Sequence, residues 1–369
     1  MRAEAPIPTP PYVGSYEPRD LTPLLTELSG VDIELPAEER EALMQGGGHY
    51  AETLPIEFRP TARYERLFEE LLATHSDRIA LLTRVLARRV LEEQPDPVLV
   101  SLARAGTPVG ILLRRALALE DVDAAHYTIS IVRDRGLDDR AVSYLCQHHP
   151  PGRLIFVDGW TGKGAIQREL ELALAEYGRT HDVAIAARLA VLADPAHVTM
   201  LCASRGDELV PSACLNSTVS GLMSRTVIRP DLLGPDTFHG VRVYREFADT
   251  DVSRRFVDTI SSRFEDVADL LDAGVAHAAA LPPADGRGLR EVQQVQREHR
   301  IDDINRVKPG IGETTRVLLR RVPDAILIDP RQRDRLEHVL VLAEERGVPV
   351  LERPNRIYAC FGLIKRHEQ

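Results

Sequence analysis

One stretch constrains this chain more than any other: Leu154-Ile155-Phe156-Val157 runs into Asp158-Gly159-Trp160-Thr161-Gly162-Lys163-Gly164-Ala165, and a helical pattern follows to Tyr177. Four consecutive apolar residues make a strand buried on both faces, which requires helices packed above and below it. The same unit recurs along the chain. Strands are expected at Pro97–Leu102, Ala125–Val132, Leu154–Val157, Val183–Leu192 and Val198–Cys202, with helices at Pro108–Leu119 and Gly164–Tyr177 between them. This alternation predicts an α/β fold, a parallel sheet with helices on both faces.

Before the sheet, residues 1–60 are rich in Pro and Gly and read as an irregular extension with a short helix at Pro36–Met44. Apolar residues at helical spacing, from Leu67 to Leu86, predict a helix over Tyr64–Glu93. A further helix is expected at Asp251–Ala276, ending in the Pro/Gly-rich Ala280–Leu289, which sets a boundary between units at 61–280 and 287–369. The second unit alternates again: helix Glu313–Arg321, strand Ala325–Ile328, helix Asp334–Arg346, then strands Val348–Leu351 and Ala359–Ile364, a compact α/β/α module.

Charge separates the two units. The chain carries a net −10, yet Gly286–Arg366 holds 17 Lys or Arg against 12 Asp or Glu, a local +5. Broad nonspecific nucleic-acid binding by the whole chain is therefore not expected, and the different electrostatic character of the C-terminal piece marks it as a separate unit. Four scattered cysteines without a CxxC pair give neither a disulfide framework nor a zinc site. With no apolar run long enough for a bilayer and no signal-type core in Met1–Tyr12, a cytoplasmic protein with no membrane partner is expected.

Two strand–loop–helix turns carry chemistry. In the first, a buried strand delivers Asp158 at its carboxyl end, and Thr161-Gly162-Lys163-Gly164-Ala165 opens a helix whose N-terminus favours negative charge. In the second, Ser101-Leu102-Ala103-Arg104-Ala105-Gly106 joins a strand to a helix and can present backbone amides to an anion. A Walker-type loop fails on spacing. As a structural alternative, Asp158 is a turn residue and both loops are ordinary connections.

These two loops resemble those of type I phosphoribosyltransferases. The resemblance implies that Ser101, Ala103, Arg104, Ala105 and Gly106 form a pyrophosphate loop. Asp158 would contact ribose hydroxyls and a magnesium ion, and Thr161 to Ala165 would hold a 5′-phosphate. Arg133 and Arg135, after a strand, are expected either to close over the leaving group or to lie in a solvated loop. Gly159 stands where that family carries a second acid, and the phosphate loop is one residue short. The implied activity is a pentosyltransferase acting on PRPP or a related ribose 5-phosphate compound.

More closely, the chain is similar to a bacterial group linked with tellurium-resistance and stress clusters and labelled StiP-like. The residues that carry this are Gly47-Gly48-His49-Tyr50-Ala51-Glu52, both loops, Ile131–Gly136, and Pro211–Leu222. The resemblance implies synthesis of a nucleoside-like metabolite in a stress system. His49 and Glu52 are expected in a hood or in a surface turn. Cys214, with Asn216, Ser217 and Thr218, sits in a small polar stretch expected to contact substrate. Some relatives carry a cysteine-protease label, so a cysteine hydrolase using Cys214 remains open, given a histidine from among His49, His126, His197 and His239. A non-catalytic ribonucleotide- or RNA-binding regulator is the other alternative, and a homodimer is compatible with either.

The last motif is Arg306-Val307-Lys308-Pro309-Gly310-Ile311-Gly312-Glu313-Thr314-Thr315-Arg316. It resembles the RNA-facing loop of the Pelota and ribosomal L7Ae-type fold, over about residues 287–366. The resemblance implies structured RNA as a partner, held by Lys308, Gly310, Gly312, Glu313 and Arg316, with Gly312 where that family has asparagine. Otherwise the segment is a capped helix start.

Overall fold

The computed structural model describes residues 6–28, 30–320 and 322–364. Arg321, the expected end of one helix, and the outer ends of the expected first and last units lie outside the described residues. The central sheet has seven strands. Its long path comprises β1 (Thr22–Pro23), β2 (Val98–Ala103), β3 (His126–Val132), β4 (Leu154–Trp160), β5 (Leu189–Ala193) and β6 (Leu201–Ser204), in the spatial order β1-β3-β2-β4-β5-β6. All pairings along it are parallel; a short return, Gly136–Leu137, pairs antiparallel with β3. The expected mixed α/β architecture with a mostly parallel sheet is observed.

Helices cover both faces. On one, α1 (Ala62–Glu93) turns Phe68, Leu72, Ile79, Leu86 and Val90 inward against α2 (Gly106–Ala118). On the other, α3 (Asp139–His148) and α4 (Ala165–His181) bury Leu145, Leu170 and Leu174 against Val100, Phe156 and Val191. Alternate residues of one strand enter opposite layers, as when Val157 faces the first layer and Phe156 the second, which is why these strands are apolar throughout.

The irregular lead-in takes part in the sheet: β1 extends its edge, and Thr26–Glu27 pairs with Gly240–Val241. Helix α3 has no counterpart among the expected elements, although Asp138 caps it by accepting the Arg140 and Ala141 amides. The single helix expected at Asp251–Ala276 is two, α5 (Ser253–Ser261) and α6 (Leu271–Ala279). Between them the Phe264 carbonyl accepts from the buried Arg84 guanidinium at 2.9 Å. The strand expected from Val183 starts only at Leu189, because the chain before it folds back with Arg188 N–H on the Ala186 carbonyl.

The expected linker at Ala280–Leu289 runs into a further helix, α7 (Arg287–Glu298). Four strands follow: β7 (Val307–Pro309), β8 (Ala325–Ile328), β9 (Val350–Glu352) and β10 (Cys360–Leu363), ordered β7-β10-β8-β9. Helices α8 (Gly310–Arg320) and α9 (Glu337–Glu345) pack on this sheet. The same apolar layer takes in Leu71, Leu209, Ala213 and Cys214, so the C-terminal module shares a core with the first unit.

Helix α2 approaches the sheet closely at Gly110. A Cβ there would lie 2.0 Å from Ser101 Oγ and 2.4 Å from His126 Nε2, inside a buried hydrogen-bonded pair. Gly110→Ala is expected to cost roughly 1–3 kcal/mol through overpacking, read as a lower thermal midpoint. An unchanged midpoint would mean that the helix shifts without cost.

Candidate functional site

The carboxyl ends of β2, β3 and β4 open into a cleft of about 450 Å³, closed on its far side by α8. Its charged lining is one-sided. Five arginines and two lysines face Asp158 and Glu313 as the only carboxylates on its walls among the described residues, in a chain whose net charge is −10.

The floor is the Asp158–Ala165 turn. Asp158 accepts from its neighbour's Gly159 N–H at 2.8 Å. Burial pushes its carboxyl up to about 6, against the pull of that N–H and of Arg316. Thr161 turns inward: its hydroxyl donates to Asp194, a fully buried carboxylate also bound by the Val198 and Thr199 amides and by Arg205. Gly162 accepts from Tyr358 OH at 2.6 Å, and Lys163 Nζ donates to the Ile304 and Val307 carbonyls, both at 3.2 Å. Burial lowers Lys163 to about 8. Gly164 sits at φ +78°, the left-handed region, at the start of α4. With Ala165, the turn lines the cleft, while Thr161 ties it to the first unit and Lys163 to the C-terminal module.

The second loop divides. Ala103, Arg104 and Ala105 line the cleft. Ser101 does not: its hydroxyl is buried, donating to the Gly106 carbonyl and paired with His126. Gly106 starts α2 against the Val157 carbonyl. Arg104 donates to the Met223 carbonyl at 2.8 Å and pairs with Glu57 at 3.5 Å. Glu57 also accepts from Ser217 N–H; Ser217 and Thr218 are buried, while Asn216 lines the cleft and accepts from the Thr218 amide and hydroxyl. Arg133 lines the opposite wall, its N–H donating to Tyr50 OH and its guanidinium to Asn305. Arg135 is not part of the cleft lining and lies in a turn pinned at Asp134 N–H and Gly136 N–H by Glu169. His49 stacks near Tyr50 and accepts from Ala51 N–H, a local turn beside the cleft mouth.

The residues of the RNA-type loop lie in the seam between module and sheet. Buried Asp207 accepts from Ile311 N–H at 3.0 Å and Ala359 N–H at 2.9 Å, holding the first turn of α8. Gly310, at φ +84°, leaves no room for a Cβ, which would meet Asp207 Oδ1 at 2.6 Å. Gly312 rests on Trp160 and Ala213, and Arg316 lies over the Trp160 ring at 5.4 Å. Lys308, Glu313 and Arg316 all face the cleft, joined by Arg320 and, from the first unit, Arg225. Neither Arg225 nor Arg320 was among the residues expected from sequence, and no local motif marks them. Asp194 and Asp207 were likewise missed, their partners lying far along the chain.

Cys214 ends a short 3-10 turn, Pro211–Cys214, whose Ser212 and following Leu215 line the cleft. Its thiol is buried against α8, and burial pushes it up to about 12. Of the candidate histidines, three use their rings elsewhere, while the His197 ring has a buried Nδ1 without a hydrogen-bond partner among the described residues. His126 binds Ser101 and the Asp20 carbonyl, His239 binds Ser130, and His49 serves Ala51. For magnesium, Asp158 has only Glu313 as a second carboxylate on the cleft walls, and among the described residues no three His, Cys, Asp or Glu are grouped to hold a metal. A carboxyl raised to about 6 and without a grouped set of oxygen ligands does not fit a magnesium site.

Residues 14–261 match the model of a family described as tellurite-like stress resistance cysteine protease StiP, and residues 286–366 match the PELOTA RNA binding domain. A protein of Acinetobacter baylyi named cysteine protease StiP is 36% identical over 328 residues, 86% of this chain and 84% of the relative. The expected StiP-like and Pelota-like resemblances hold. The expected phosphoribosyltransferase does not: the matched family and relative are named cysteine proteases, which overturns pentosyl transfer from PRPP and the glycosyltransferase reading with it. The geometry is consistent with that correction, because Thr161 and Lys163, expected to hold a 5′-phosphate, spend their polar groups on Asp194 and on main-chain carbonyls. No helix among the described residues is long and apolar enough to cross a membrane.

Proposed function

The chain belongs to the StiP family, and from that premise we propose that it is a cysteine-dependent protease of a stress response, held at rest by its own C-terminal module, with Cys214 as nucleophile. The observation that carries the choice of residue is the position of the Cys214 turn, whose Ser212 and Leu215 form part of the cleft wall. Cys202 sits inside β6, Cys360 inside β10, and Cys146 on α3. In the reaction, the Cys214 thiolate adds to a peptide carbonyl carbon. The amine leaves with a proton as a thioester forms, and water then cleaves the thioester to release the acid and restore the thiol.

A thiol pushed up to about 12 is almost wholly protonated at neutral pH, so the arrangement described is a resting one. Helix α8 covers the turn, and structured RNA is the proposed partner that draws it away, since the loop from Lys308 to Arg316 that would face RNA is occupied in the seam. The test is hydrolysis of unfolded casein by the full chain, with and without a kinked RNA duplex. Wild type and Cys146→Ser are expected to cleave, faster with RNA, whereas Cys214→Ser loses the turnover. Hydrolysis that survives Cys214→Ser would remove Cys214 from the role, and no hydrolysis under either condition would sink the protease reading.

A further inference from the structure

The cleft gathers a group of guanidiniums that the protein itself neutralises only in part. Arg104 and Arg225 come from the first unit, Arg316 and Arg320 from α8, and all four face the same space. Arg104 has Glu57 at 3.5 Å. Among the described residues, Arg225, Arg316 and Arg320 have no carboxylate within 4.0 Å, although Arg320 donates to the Leu215 carbonyl at 3.3 Å. The Arg316 guanidinium is enclosed, and its Nε–H is buried with no acceptor among the described residues. A buried donor without a partner costs about 1–3 kcal/mol, more when charged. Gathering like charges around it adds to that cost. Such an arrangement is stable when something anionic completes it.

The ligand's chemistry follows from charge, geometry and volume. Planar guanidinium forks match phosphate oxygens in pairs. One phosphate group brings only about 1.5–2 negative charges, against the three guanidiniums of Arg225, Arg316 and Arg320 that have no carboxylate within 4.0 Å among the described residues. Two or more phosphates are needed to approach neutrality. A cavity of about 450 Å³ fits a small molecule and not a folded segment of polypeptide. We infer that the interdomain cleft is a binding site for a small ligand carrying a chain of phosphates, which Arg104 and Arg225 grip from one side and Arg316 and Arg320 from the other. Because both units contribute, the ligand staples the module onto the cleft. The site stands whether or not Cys214 is a nucleophile, since its readout is binding alone.

Trp160 is the chain's single tryptophan and lies under Arg316, so its emission reports the site directly. The experiment titrates inorganic tripolyphosphate into the full chain, following Trp160 fluorescence and heat. Wild type is expected to bind at one site with a change in emission. Arg316→Gln and Arg225→Gln, from opposite walls, are each expected to bind at least tenfold more weakly. Circular dichroism checks folding, and Arg225→Gln keeps the test decisive if Arg316→Gln does not fold. A parallel arm with a nucleoside triphosphate identifies the source. Tighter binding than tripolyphosphate means the base and sugar are also held; equal binding means the phosphate chain alone is read. No saturable signal from folded wild type overturns the proposal, as does wild-type affinity in both variants. Equal affinity for a hexaglutamate peptide also overturns it, because the cleft would then serve polypeptide carboxylates.

Discussion

Asp207→Ala is expected to raise alkylation of Cys214 by about 30- to 1,000-fold at pH 8 and to lower the thermal midpoint together with it. Asp207 belongs to the first unit, yet its carboxylate accepts Ile311 N–H and Ala359 N–H, both from the C-terminal module. Without it these two buried amides have no acceptor, at about 1–3 kcal/mol each. Removing a carboxyl that burial has raised to about 6 returns part of that, leaving a net loss of about 2–4 kcal/mol. Because Cys214 lies beneath α8, every 1.4 kcal/mol lost from the seam multiplies its exposure tenfold. Mass mapping after brief iodoacetamide treatment reads this, with half-buried Cys146 as the internal comparison. Unchanged Cys214 labelling in a destabilised Asp207→Ala protein would mean that the module does not cover the thiol.

The same carboxyl gives the seam a pH dependence. Its folded value of about 6 lies above the ordinary 3.8, so the folded protein binds the proton more tightly than the unfolded chain. The stabilisation this adds is complete below about 3.8 and is lost as pH rises through about 6. Arg335 opposes the shift and Glu208 reinforces it. The stability of wild type relative to Asp207→Asn is therefore expected to fall from pH 4 to pH 7, read by chemical denaturation at the two pH values. Asp158, raised by burial in the same way, is present in both proteins and cancels.

What the sequence makes legible here is whatever is carried by consecutive residues. Strands β2 and β4 are unbroken apolar runs, and both appear within a few residues of their expected ends. The acid, threonine and glycines after Val157 do form a tight strand-to-helix turn. Residue types alone do not say which way a side chain in such a turn faces. Thr161 hydrogen-bonds to Asp194, thirty-three positions on, and so belongs to the floor of the turn and not to its open side. Ser101 is likewise claimed by His126 across the sheet. The cleft's cations come from five separate segments, and only the fold brings Arg225 and Arg320 beside Arg104. The family resemblance was readable in short motifs, whereas the reaction read from the two loops was not: an anion-loop pattern describes a backbone shape that several chemistries share.

Asp194→Ala is expected to destabilise the protein by about 3–5 kcal/mol, the range found when one partner of a buried ion pair is removed. Asp194 is fully buried and its partner Arg205 nearly so, with side-chain exposures of 0% and 8%. Burial holds the Asp194 carboxyl above the usual carboxylate range despite Thr161, Thr199 N–H and Arg205, so desolvation already outweighs its partners. Deleting the carboxylate leaves Arg205 charged in that environment, with only the Thr199 and Pro282 carbonyls, and strips the acceptor from Val198 N–H and Thr199 N–H. If the unpaired charge dominates, Asp194→Ala combined with Arg205→Met recovers most of the loss, because an apolar pair can replace a buried ion pair at little cost. If instead the double variant is as unstable as the single one, the amide and Thr161 bonds dominate, and Asp194 acts as a clamp on the cleft floor. Chemical denaturation of the two variants decides between these. In the clamp case Trp160, the last residue of β4 and the immediate neighbour of Asp194's partner Thr161, is expected to lose its packed emission in Asp194→Ala before the global transition; in the charge case the two transitions coincide.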